Sequence, residues 1–248
     1  MTAIDCYHQV NLSTGENTQN KLRSDLFRDG FLVLNKITEY DDIQNIRSEI
    51  LEIFTRTNAE KKHIRDLGDD STVRGQGQIL EIVSPSVLKP HLLFSAFFQR
   101  ALCISQEILG PSARLLFDHC IIKPPFNDTA TTWHQDCAYA RPITLSARRL
   151  HWWLPLQEAT RENGCMEFVP GSHLGKVLAH HPRAARAHAL QTQLPANAVP
   201  VACPLPMGGA TVHLPKTLHY TGPNNSPAPR LAWIVQIGIK GWKPAIMR

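Results

Sequence analysis

From about residue 112 onward the chain is cut into short apolar segments by Pro, Gly and Asn. This punctuation limits the fold more than any other feature. Proline fixes φ and lacks a backbone N–H, so helix interiors and central strands exclude it. There are 18 prolines among 248 residues, roughly 7%, against a usual ~5%. A bundle of long helices is therefore ruled out. The candidate strands are 113–123, 132–138, 147–156, 165–169, 198–202, 209–213, 217–221 and 230–239. Eight short strands joined by turns predict a barrel or a double-sheet jelly roll.

The first part of the chain has a different texture. A helix is expected over 21–28, stopped by Asp29-Gly30, because glycine caps helix ends. Phe31-Leu32-Val33-Leu34 reads as a buried strand. Ile43, Ile46, Ile50, Ile53 and Phe54 have helical spacing, which predicts a helix over 40–55. The charged, Gly-containing stretch 58–78 reads as a loop, and 86–109 as a helical region ended by Gly110-Pro111. Residues 1–20 read as a flexible N-terminal arm and 21–248 as one domain. The class is mainly β, with flanking helices backing one sheet.

Composition removes several classes. Apolar residues make up 43% and charged residues 19% of the chain, a globular balance. The net charge of +5 is mildly basic. It weakly favours an anionic small-molecule substrate and gives no reason to expect nucleic acid. No apolar run is long enough to span a membrane. The polar start has no apolar core of the kind that signal peptides carry. The cysteines at 6, 103, 120, 137, 165 and 203 form no CxxC pair, which predicts a reducing, cytoplasmic location.

The chemistry is concentrated in Thr132-Trp133-His134-Gln135-Asp136. On a strand, His134 and Asp136 share a face. An imidazole and a carboxylate there are two parts of a 2-His-1-carboxylate triad, which holds Fe(II) with positions open for oxygen chemistry. A third ligand must come from a distant strand, and 208–230 offers His213 and His219. A Pro/Asn/Gly turn separates His219 from Arg230 and reads as a hairpin. Arg230 then enters the same cavity, where its planar fork suits the distal carboxylate of a dicarboxylate cosubstrate.

WHQD (133–136), ENGCMEFVPGSH (162–173), LHYTGPN (218–224), Arg230, FRDGFLVL (27–34) and KPP (123–125) together resemble the phytanoyl-CoA dioxygenase family. This is a family of Fe(II)- and 2-oxoglutarate-dependent oxygenases. The likeness runs from about 22 to 240 and implies a double-stranded β-helix, the cupin-like jelly roll. It implies His134, Asp136 and His219 as iron ligands and catalytic centre, and Arg230 as the clamp on the 2-oxoglutarate 5-carboxylate. Thr221 matches an assisting hydroxyl and Trp153 an aromatic of the cosubstrate pocket. Gln78, or else Gln76, is the candidate for the upstream polar contact. Asp136 stands where related halogenases carry a small residue, which favours hydroxylation.

The implied reaction consumes O2 and 2-oxoglutarate, releases succinate and CO2, and hydroxylates a C–H bond, with ascorbate helpful in vitro. Rival readings are desaturation or cyclisation on the same iron, a Zn(II) hydrolase, and a non-enzymatic jelly-roll binding module. Arg74, Tyr139, Arg141, His151 and His213 are candidate substrate contacts. His173 is read as shaping a turn, Cys137 as core filling, and 180–188 (HHPRAARAH) as a solvated lid or surface stretch.

Overall fold

Two of the longer late segments, ARRLHWWLPL and RLAWIVQIGI, are mostly apolar. Such runs are expected of strands covered on both faces. The computed structural model of the protein describes residues 16–55, 63–67, 79–139, 148–182 and 189–239. Its elements are α1 (Glu16–Asp29), β1 (Phe31–Leu34), α2 (Tyr40–Thr55), β2 (Ile64–Asp66), β3 (Leu80–Val83), α3 (Pro85–Leu88), α4 (Ala96–Leu109), β4 (Arg114–Lys123) and β5 (Thr131–His134). These are followed by β6 (Arg149–Pro155), β7 (Met166–Phe168), β8 (His181–Pro182), β9 (Leu190–Gln191), β10 (Val201–Cys203), β11 (Ala210–His213), β12 (His219–Thr221) and β13 (Arg230–Gly238).

A seven-stranded sheet has the order β1-β11-β6-β13-β4-β3-β2, and a four-stranded sheet the order β10-β7-β12-β5. The pairings within both sheets are antiparallel. This is the expected jelly roll. Alternation along β6 and β13 divides the core in two. Leu150, Trp152, Leu154, Leu231, Trp233, Val235 and Ile237 pack under the helices with Phe97 and Ile43. Trp153, Ala232 and Ile234 face the other way, toward Phe31, Phe168 and Ala202 between the sheets. The adjacent tryptophans thus serve opposite faces. On the helix side, Trp152 Nε1 donates to Ser105 Oγ (2.9 Å) and Trp233 Nε1 to Asp118 Oδ2 (3.0 Å), so both rings bury without an orphaned donor.

Several expectations need correction. The first helix begins at Glu16, inside the segment read as an arm. The region 86–109 is not one helix: α3 is followed by a 3-10 turn, Pro90–Phe94, and then α4. Pro90 pushes Lys89 out of the helical region (φ −130°, ψ 77°), and Ser95 restarts the helix by accepting from Phe98 N. The stretch read as a loop contains β2, which pairs with β3. The strand expected over 132–138 stops at His134, and Asp136 opens a 3-10 turn, Asp136–Tyr139. His219 and Arg230 are not on one hairpin. Strand β12 lies in the small sheet and β13 in the large one, so the turn between them crosses the sandwich.

That crossing is held by Asn224, which is fully buried. Its Nδ2 donates to Lys123 O, Pro124 O and Ala228 O, and its Oδ1 accepts from Ser226 Oγ. Gly164 of the ENGC segment has φ +82°, and a Cβ there would lie 2.4 Å from Gly222 O. The glycine is therefore required by the close approach of these two turns. Among the described residues no helix is long and apolar enough to cross a membrane. Asn224→Ala should leave the buried Lys123 carbonyl and the half-buried Pro124 carbonyl without this donor and cost about 2 kcal/mol. Urea unfolding of the variant checks this, and a loss below about 0.5 kcal/mol would contradict the role given to the side chain.

Candidate active site

His134 ends β5 and His219 begins β12, and the two are direct cross-strand partners. Their rings lie 4.1 Å apart, centre to centre. Each ring is fixed in the same way: His134 Nδ1 sits 2.7 Å from Thr132 O, and His219 Nδ1 sits 2.9 Å from Thr217 O. A carbonyl can only accept, so each Nδ1 carries a hydrogen, which leaves Nε2 as the nitrogen that a metal would use. Both Nε2 atoms turn toward Asp136. His134 Nε2 is 3.4 Å from Oδ1, and His219 Nε2 is 3.7 Å from Oδ2. One ligand atom from each of the three residues lies within 4.8 Å of the others. Two neutral imidazoles and a carboxylate, with both tautomers set from outside, fit a divalent metal.

Asp136 reaches this place by a turn rather than by strand alternation. Cys137 N donates to Pro215 O and Ala138 N to Gln135 O. The side chain of Gln135 donates to Lys216 O and accepts from Leu178 N, while its backbone N–H donates to His180 Nε2 at 3.0 Å. His180 is thus tied to the residue between the two ligands. His181 is exposed, and 183–188 lie outside the described residues.

Two further imidazoles hold the carboxylate. His151 Nδ1 is 2.5 Å and His213 Nε2 is 3.1 Å from Asp136 Oδ2. Both residues were expected at the substrate; the structure places them on Asp136. Burial pushes His151 down to about 4, so its neutral ring donates through Nδ1–H. Burial also holds His219 well below the usual histidine range, with His134 adding to the effect. Burial alone would raise Asp136, but His219 and His151 outweigh it and hold the carboxyl well below the usual carboxylate range. Asp136, His151 and His213 also lie within 4.8 Å of one another. There, however, both nitrogens nearest the carboxylate are spent as donors, so that set is a brace rather than a ligand set.

On the far side, Arg230 is almost wholly buried. Its Nη2 lies 3.5 Å from Thr221 Oγ1, its guanidinium is 5.6 Å from the Trp153 ring centre, and its Nε has no hydrogen-bond partner. Among the described residues no carboxylate pairs with it. Burial lowers it to about 10, so it stays charged at neutral pH. Thr221 Oγ1 also accepts from Lys123 Nζ at 2.9 Å. With its acceptor side occupied, the hydroxyl keeps its hydrogen for a ligand oxygen. A buried, unpaired guanidinium is costly unless an anion joins it.

A cavity of about 400 Å³ opens onto His134 and Asp136. Tyr139 lines it, with its ring edge-on to His134 and its hydroxyl accepting from Leu190 N. Gln76, Gln78, Arg74 and Arg141 lie outside the described residues. His173 Nε2 lies 2.9 Å from Phe27 O, pinning the turn after β7 to α1. Cys137 is buried. Reading the sequence missed Arg65, Glu81, His119, Arg149 and Gln236 on the cavity wall. The available signal was a lone Glu or His inside an apolar strand run, LEIV or LLFDHCIIK.

Two predictions follow from this geometry. His151→Ala and His213→Ala should each weaken Co(II) binding about 10–100-fold, measured by titration of the folded variants; unchanged affinity would rule out the brace. The second concerns Glu81. Burial raises its pKa, but His119 and Arg65 bring it down to about 2 from the ordinary 4.5. Its ionisation therefore contributes stability that is complete above about 4.5 and lost as pH falls toward 2. The stability gap between the protein and Glu81→Gln should narrow over that window in urea titrations. A gap that stays constant with pH would contradict the pairing.

Known proteins resemble this chain in sequence and fold. The family model described as phytanoyl-CoA dioxygenase matches residues 26–232. A probable alpha-ketoglutarate-dependent hypophosphite dioxygenase from Stutzerimonas stutzeri is 33% identical over 151 residues, 56% of this chain and 52% of that protein. The peroxisomal phytanoyl-CoA dioxygenase of Bos taurus is 27% identical over 183 residues, 67% of this chain and 52% of that protein. The chain thus spans about half the length of these curated relatives. Among solved structures, EvdO2 from Micromonospora carbonacea var. aurantiaca, complexed with 2-oxoglutarate, superimposes with a TM-score of 0.71 and 29% identity over 96% of this chain and 98% of that one. The epimerase SnoN from nogalamycin biosynthesis, at 20% identity over 91% of this chain and 84% of its own, shares the fold with a TM-score of 0.73. With the family model covering most of the sequence, and the likeness in sequence and fold agreeing, the chain belongs to the phytanoyl-CoA dioxygenase family.

Proposed function

We propose that the protein is an Fe(II)- and 2-oxoglutarate-dependent oxygenase that hydroxylates a C–H bond of a small organic substrate. The catalytic unit in this reading is one domain over 21–248. His134, Asp136 and His219 hold the iron. Arg230, with Thr221 and Trp153, binds the distal carboxylate of 2-oxoglutarate. The observation that carries the reading is the pairing of two features: inward-turned Nε2 atoms beside Asp136, and a buried guanidinium with no carboxylate of its own.

Ferrous iron with 2-oxoglutarate supplies the oxidation of a C–H bond by O2, coupled to decarboxylation of the cosubstrate to succinate and CO2. The chain's own residues bind, orient and exclude water. Thr132 O and Thr217 O keep the ligand imidazoles in one tautomer. His151 and His213 keep Asp136 in one orientation. Trp153 packs on Arg230 and, with Phe168 and Ile234, keeps the space between the sheets dry, which strengthens the attraction of Arg230 for a carboxylate. The cavity beside His134 admits the substrate. A hydrolytic zinc site gives Arg230 no task, and a binding module gives none to the metal set.

The test is succinate formation with Fe(II), 2-oxoglutarate and ascorbate across candidate substrates. Turnover should require iron and vanish in Asp136→Ala. Arg230→Met should raise the KM for 2-oxoglutarate about tenfold or more. A product gaining one oxygen supports hydroxylation, and one losing two hydrogens supports desaturation. Full activity without 2-oxoglutarate overturns the proposal.

A further inference from the structure

The cavity wall carries charges that balance unequally. Glu81 is buried on β3 and holds two partners: Arg65 Nε pairs with its Oε2, and His119 Nδ1 lies 2.5 Å from its Oε1. The charge of Arg65 is thus used within the wall. Arg149 differs. Its Nη1 donates to Gln236 Oε1 at 2.9 Å, and its Nε is buried with no hydrogen-bond partner. Among the described residues no carboxylate pairs with it. It lies close enough to Asp136 to feel that charge, yet Asp136 is committed to His151, His213 and the metal position.

The place of Arg149 follows from strand geometry. Arg149, His151 and Trp153 alternate along β6 and share one face. Trp153 meets Arg230, His151 meets Asp136, and Arg149 lines the cavity on the side away from Arg230. Successive residues on that face are ~7 Å apart. One guanidinium therefore flanks the metal cluster on the cosubstrate side and another on the cavity side. In the proposed loaded site, the charges of iron, Asp136, 2-oxoglutarate and Arg230 cancel. Arg149 is then the described cation of the cavity left without a counter-charge.

We propose that Arg149 anchors an anionic group of the substrate, so that the cavity takes a small acid, with a carboxylate or phosphoryl group on Arg149 and an apolar portion against Phe117, Ile121 and Leu190. This rests on the oxygenase reading and adds the substrate class to it. Gln236 holds one arm of the fork and leaves the other arm for the anionic group.

The experiment is calorimetric titration of the anaerobic Fe(II)-loaded protein, first with 2-oxoglutarate and then with hexanoate, hexylphosphonate and the neutral hexanamide. At least one acid should bind about tenfold or more tighter than hexanamide, and the stronger acid separates carboxylate from phosphoryl recognition. Arg149→Gln should remove that preference without changing the affinity for 2-oxoglutarate. Arg149→Lys, which keeps the charge without the fork, should retain part of it. Hexanamide binding as well as the acids, no acid binding, or a loss that falls on 2-oxoglutarate instead would each overturn the proposal. Failure of the protein to bind 2-oxoglutarate at all would instead strike at the oxygenase reading beneath it.

Discussion

One ionised, half-buried carboxylate surrounded by four imidazoles at the cavity between two sheets is the constraint that the remaining architecture serves. Asp136 has His134, His219, His151 and His213 around it. Each of the four imidazoles has one ring N–H placed by an acceptor. Thr132 O and Thr217 O take the Nδ1 hydrogens of the first pair, and Asp136 Oδ2 takes one hydrogen from each of the second. His134 Nε2 lies nearest Oδ1, while His219, His151 and His213 all approach Oδ2. In the proposed reading, His134, Asp136 and His219 are the candidate metal set and His151 and His213 its support.

Strands β6 and β13 connect this centre to everything around it. Their outer residues, Trp152 and Trp233, lock into the helix layer, and their inner residues line the working face. On β6 that face runs from Arg149 through His151 to Trp153. On β13 it runs from Gln236 through Ile234 and Ala232 to Arg230. The strand period of two thus sets the cavity residue Arg149, the Asp136 partner His151 and the Arg230 neighbour Trp153 in one line, while the alternate residues build the core. A one-residue slip in this sheet would exchange the two sets, so fold stability and site geometry are specified by the same register.

Much of this was legible in the sequence because it rests on local pattern. The strand runs and the amphipathic helix over 40–55 follow from periodicity, and the Asp29-Gly30 stop from helix capping. The candidate triad was legible because His134-Gln135-Asp136, a distant His219 and Arg230 converge on one chemistry and together resemble a known family. The reason given was incomplete, since Asp136 is aimed by a 3-10 turn that Pro215 O and Gln135 hold in place. Contacts made across the sheets were not legible. His151 and His213 are far apart in sequence, and only the pairing of β11 with β6 shows that both reach Asp136. The crossing at Asn224 likewise resembles a hairpin until the two sheets are seen to be separate. Glu81 and His119 needed the β3–β4 pairing before their partnership was visible.

The decisive measurement is anomalous diffraction from anaerobic crystals soaked with Mn(II) and 2-oxoglutarate. A single metal peak bounded by His134, Asp136 and His219 is expected, with the distal carboxylate of the cosubstrate on Arg230. A peak between Asp136, His151 and His213, or an Arg230 with no carboxylate against it, would contradict the assignment of ligands and brace.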